Sequence, residues 1–73
     1  MVKLTHAEMG SFILHTTDIS DAGAYILSGG ETLPGVGEEV EVQVQELPGG
    51  DAPIVAMRIV HADDQGIGLE YID

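Results

Sequence analysis

The segment "EVEVQVQEL" (39–47) alternates without a break, with Val40, Val42 and Val44 on one side and Glu39, Glu41, Gln43 and Gln45 on the other. Successive side chains of an extended chain point to opposite faces, so the pattern describes a half-buried antiparallel strand with one dry and one wet face. A one-residue slip in pairing would turn the whole apolar set to solvent, which fixes the register as well as the strand. The rest of the chain must therefore supply a sheet for this segment to join.

Four further stretches have strand character. "PIVAMRIVHA" (53–62) is rich in β-branched residues; Val55, Met57 and Ile59 are expected inside and Arg58 outside. "GIGLEYI" (66–72) sets Ile67, Leu69 and Tyr71 against Gly68 and Glu70, while "GSFILHTT" (10–17) and "AYIL" (24–27) complete the set. "LPGGDAP" (47–53) reads as a hairpin loop in which Pro48 presets φ and Gly49 tolerates a positive one. "SGGETLPGVGEE" (28–39) is a Gly- and Pro-rich connection, and residues 1–9 fit either a short helical turn or a first strand. Short strands at close spacing with turn chemistry between them predict an all-β fold, a small antiparallel barrel. Val40, Val42, Val44, Ile59, Leu69 and Tyr71 are its expected core, and Glu39, Glu41 and Glu70 are expected to face water.

At 73 residues the chain is one domain, near the lower size limit for a single adequate core. The absence of cysteine excludes a disulfide framework, a thiolate metal site and a cysteine nucleophile. Self-association into a homo-oligomer through an exposed apolar strand edge is thus an expected source of stability. No apolar run is long enough to span a bilayer and no signal peptide is recognisable, so a cytoplasmic location without membrane insertion is expected. Thirteen acidic residues face only Lys3 and Arg58, a net charge of −11. Phosphate backbones are neutralised by Lys and Arg, so DNA and RNA are not expected as partners, and an anionic membrane surface is disfavoured for the same reason. The acids serve solubility, or a face that meets a basic protein partner.

Catalytic and metal-binding constellations are not found. His6, His15 and His61 lack the spacing of shared metal ligands. In "HADD" (61–64), His61, Asp63 and Asp64 read as a solvated turn, because adjacent loop carboxylates have no cleft to separate their pKa values. Ser11, Ser20 and Ser28 sit in no nucleophile-elbow context. The chain is expected to be non-enzymatic.

"DISDAG" (18–23) interrupts the apolar sequence with turn residues. Asp18 and Ser20 can each bond backbone N–H groups and Gly23 can take positive φ, which accounts for the segment as a turn. The segment also resembles the Asp/Asn-x-Ser-x-x-Gly motif of PilZ domains, six-stranded bacterial barrels known as receptors for cyclic di-GMP. "AYIL" follows the motif, "PGVGEEVEVQVQELP" resembles the family's Gly-x-x-Val-x-Val segment, and "IVAMRIVHADDQGIGLEYI" resembles its closing strand pair. The likeness covers residues 11–73 in order, leaving 1–10 as an N-terminal segment, helix or strand, ahead of a PilZ-like barrel domain.

The resemblance implies that Asp18 and Ser20 address a guanine edge and that Gly23 lets the backbone approach the ligand. It also exposes a departure. Nucleotide-binding members carry an Arg-x-x-x-Arg motif upstream, whose planar guanidinium groups clamp phosphates and stack on guanine. Here no arginine precedes residue 58, and Lys3 lacks the bidentate fork. The implied function is an adaptor in cyclic di-GMP pathways that contacts a bacterial signalling or motility protein and binds the nucleotide weakly or not at all. The alternative is a true receptor whose arginines come from another chain or domain. No cofactor is expected, and cyclic di-GMP is the one ligand in view.

Overall fold

A computed structural model describes residues 1–45 and 52–72. The alternating segment forms strand β4 (Glu39–Val44), with Val40 and Val42 buried, Val44 half-buried, and Glu39 and Glu41 in solvent. The strands before it are β1 (Val2–His6), β2 (Gly10–Ile19) and β3 (Gly23–Leu27); β5 (Val55–Ala62) and β6 (Gly66–Tyr71) follow. Residues 2–6 are thus a strand, the second of the two forms open to the N-terminal segment. The expected hairpin at Pro48 and Gly49 lies outside the described residues.

The strands close into an antiparallel barrel in the order β1-β2-β3-β6-β5-β4. It consists of two three-stranded meanders, β1–β3 and β4–β6, joined along two seams, β3–β6 and β1–β4. Period-two alternation carries one or two apolar side chains of each strand into the core: Val2 and Leu4, Leu14, Ile26, Val40 and Val42, Met57 and Ile59, Ile67 and Leu69. Arg58 and Glu70 face outward as expected. No helix occurs among the described residues, so none is long and apolar enough to cross a membrane.

Two expectations change. Tyr71 is not a core residue: it is 37% exposed because β6 ends where the barrel opens. Closure of the barrel through β1 and β4 also removes the free strand edge on which self-association was expected to rest. What remains for self-association is side-chain surface such as Ile13, Ile54 and Val60, all well exposed.

The barrel ends differ. The connection between the meanders (28–38) crosses the end at which β1 and β3 finish and β4 begins, and lays Leu33 against the core. Backbone bonds from Ser28 N to Gln65 O and from Gly37 N to Ile59 O hold it there. His6, the buried polar residue among those described, completes the closure. Its Nδ1 accepts from the backbone N–H groups of Glu8 and Met9, both at 3.1 Å, which places the ring proton on Nε2. Nε2 then donates to Glu38 Oε1 at 2.7 Å, tying β1 to the connection. The opposite end carries the "DISDAG" turn.

Candidate functional site

Ser20 and Gly23 exchange backbone hydrogen bonds, N to O at 2.8 Å and 3.3 Å, so Asp21 and Ala22 form a two-residue hairpin turn between β2 and β3. Neither has positive φ, whereas the turns that match strand twist require it. Close by, β2 shifts register between Thr16 and Asp18, and such a bulge increases local twist. The Thr16 hydroxyl fills the gap, sharing its proton between Tyr25 O at 2.8 Å and Asp18 O at 3.1 Å.

The motif side chains divide. Ser20 Oγ accepts from Ala22 N at 3.2 Å, a local turn bond of the expected kind. Asp18 departs from expectation: its carboxylate accepts no hydrogen bond among the described residues and stands in solvent, because the bulge sets it on the outer face opposite Tyr25 rather than toward the turn. Gly23 also departs. Its φ is not positive; glycine is needed because a methyl group there would collide with the Leu69 carbonyl oxygen across the β3–β6 seam. A long-range bond adds to the frame, with the Tyr71 hydroxyl donating to Ser20 O at 2.9 Å. That contact joins residues 51 positions apart, so no local pattern announced it.

"HADD" builds the β5–β6 turn around one carboxylate. Asp63 Oδ1 accepts from Tyr25 Oη at 2.6 Å and from Gln65 N and Gly66 N at 2.9 and 3.0 Å; His61 Nε2 reaches Oδ2 at 3.2 Å. The Tyr25 hydroxyl first, then these backbone N–H groups and His61, lower the Asp63 pKa to about 2. The same bond to Asp63 raises the Tyr25 pKa. Asp64 remains exposed, and no group of three or more metal-ligating side chains occurs among the described residues.

Cations are scarce beside the motif. Arg58 lies between Glu39 Oε2 at 3.5 Å and Glu70 Oε1 at 3.8 Å. In the ladder Glu70 pairs with both Arg58 and Gly23, so Arg58 is two strands from the turn, roughly 10 Å at ordinary strand spacing. Lys3 sits on β1 between Ile13 and Gln43, with the whole width of β2 between it and β3.

These features define a class: a six-stranded barrel whose meanders are linked across one end and whose β2–β3 hairpin bears an Asp-x-Ser-x-x-Gly turn at the other. The PilZ domain family model matches residues 2–73, and the chain belongs to that family. This membership suggests a cyclic di-GMP signalling module. Comparison with curated proteins gave no match.

Two outcomes follow from the geometry. Gly23→Ala should lower stability by about 1–3 kcal/mol, the usual cost of forcing an extra carbon into a packed contact, whereas Asp18→Ala should stay within about 0.5 kcal/mol of the parent in urea melts. The second concerns acid. Asp63 has a lower pKa folded than unfolded, so its contribution is complete above its ordinary value of 3.8 and is lost as pH falls toward about 2. Melting temperatures recorded from pH 5 to pH 2 should fall through that window, and Asp63→Asn should flatten the fall.

Proposed function

We propose that this PilZ domain is a non-catalytic adaptor of cyclic di-GMP pathways, working by contact with a bacterial signalling or motility protein. The observation that carries the reading is the state of the two basic side chains. Arg58 is held between Glu39 and Glu70, and Lys3 stands on the far side of β2 from the β3 seam. The half-motif thus offers Asp18 and Ser20 to a guanine while no cation beside it addresses a phosphate.

Magnitudes support weak binding. A charge contact at about 4 Å contributes roughly 1–4 kcal/mol, depending on the effective dielectric. Losing two such contacts moves a micromolar ligand toward the millimolar range, since about 4 kcal/mol separates the two. The net charge of −11 adds general repulsion of a dianionic ligand. The motif has structural work without any ligand: Ser20 closes the turn and Gly23 admits the Leu69 carbonyl.

One observation favours a second reading, a receptor completed by arginines from another chain or domain. The Asp18 carboxylate is exposed and accepts nothing among the described residues, so it remains available for a guanine edge.

Calorimetry of this chain with cyclic di-GMP tests the adaptor reading. The adaptor reading expects a Kd weaker than about 100 μM, and no gain at low salt because weaker screening strengthens repulsion. Low-micromolar affinity abolished by Asp18→Ala would overturn it, and Arg58 and Lys3 would be the first cations to substitute.

A further inference from the structure

Among the described residues, the barrel end that carries the turn is open and apolar. Ile19, Val44, Pro53, Val55, Met57 and Tyr71 line a hollow of about 110 Å³ there. Ile19 is 47% exposed and Tyr71 37%, so the hollow meets solvent through hydrophobic side chains. Its lining includes no Lys or Arg, while Asp18 and Asp21 stand exposed on the adjoining end of β2 and its turn, and Glu70, which Arg58 approaches at 3.8 Å, stands exposed on β6. The whole chain carries −11.

The geometry points to this mouth as the docking site for one aliphatic side chain, flanked by lysines or arginines, on a segment of a protein partner. The inference rests on the adaptor reading and names the surface that such an adaptor uses. Size selects the anchor: a cavity of about 150 Å³ is what takes benzene, so the smaller hollow suits a leucine or methionine side chain better than a purine. Charge selects the flanks, because an apolar anchor brought to this acidic rim gains affinity and encounter rate from neighbouring cations. A second copy of the chain is a poor occupant, as two bodies of charge −11 repel and no Lys or Arg lines either hollow.

Tyr71 links the mouth to the motif. Its ring lines the hollow and its hydroxyl holds Ser20 O at 2.9 Å, so filling the mouth bears on the turn that bears the family motif. Coupling of this kind is reciprocal, and a ligand at the turn would bear equally on the mouth.

The test titrates ¹⁵N-labelled full chain with acetyl-KKLKK-amide and with acetyl-KKSKK-amide. Saturating amide shifts at Ile19, Val44, Val55 and Tyr71, extending to Ser20 and Gly23, are expected with the leucine peptide. Affinity should fall about tenfold or more with the serine peptide, the loss expected for an anchor of that size. Ile19→Ser should weaken the leucine peptide by a similar factor, while Glu41→Gln on the outer face of β4 should not. Equal binding of both peptides, shifts spread over the acidic surface, or no shift at the four mouth residues would overturn the inference. Failure of the mouth is read from the peptide pair, whereas failure of the adaptor reading is read from tight cyclic di-GMP binding, so the two are distinguishable.

Discussion

Strands β3 and β6 come from different meanders, and their pairing, together with that of β1 with β4, turns two three-stranded sheets into a closed barrel. The other four pairings link strands that follow one another in sequence, and each short loop there costs little closure entropy. The β3–β6 seam must instead be held by backbone contact close enough to exclude side chains at both ends. Gly23 faces the Leu69 carbonyl and Gly66 the Ile26 carbonyl, and a methyl group at either position would collide with the oxygen opposite. The core depends on this join, because Ile26, Ile67 and Leu69 enter the interior from it. The candidate site depends on it as well, since Gly23 is at once the last residue of the motif and the first of β3.

The two barrel ends have been given different tasks. At one, the connection between meanders is laid across the opening and locked by His6, whose ring accepts two backbone N–H groups and donates to Glu38. Gly35 N first, then His6, lower the Glu38 pKa, which keeps the acceptor charged well into the acid range. The other end keeps hydrophobic side chains in contact with water beside the motif. Exposed apolar surface of this kind, set beside the Asp-x-Ser-x-x-Gly turn, is the surface on which partner docking is proposed.

Much of the fold was legible because it rests on period two. Val40 and Val42, Met57 and Ile59, and Ile67 and Leu69 all point inward as their alternation requires. Residues 2–6 follow the same rule, but a histidine occupies the third inward position, and only a ring with both nitrogens engaged reconciles it with a strand. Tyr71 obeys the alternation yet lies at the rim, since periodicity says which face a residue takes and not how far along the barrel the core extends. For the motif turn, the sequence marked Asp18, Ser20 and Gly23 as turn residues but not what each does in the structure. Turn chemistry singled out Gly23, but whether glycine is needed for positive φ or for a close neighbour depends on β6, far away in sequence. In the same way Asp63 and Asp64 look equivalent in the chain, and a tyrosine from β3 decides which of them is fixed.

The central claim is that the barrel holds the motif turn in its shape without a nucleotide. Amide hydrogen exchange of Ser20 and Gly23 in nucleotide-free protein tests it most directly, because each of these N–H groups donates to the other's carbonyl. Both amides should be protected well above the rate of an unstructured chain, and Tyr71→Phe, which removes the bond to Ser20 O, should reduce that protection. Exchange at the unstructured rate, with protection appearing only when cyclic di-GMP is added, would contradict the account.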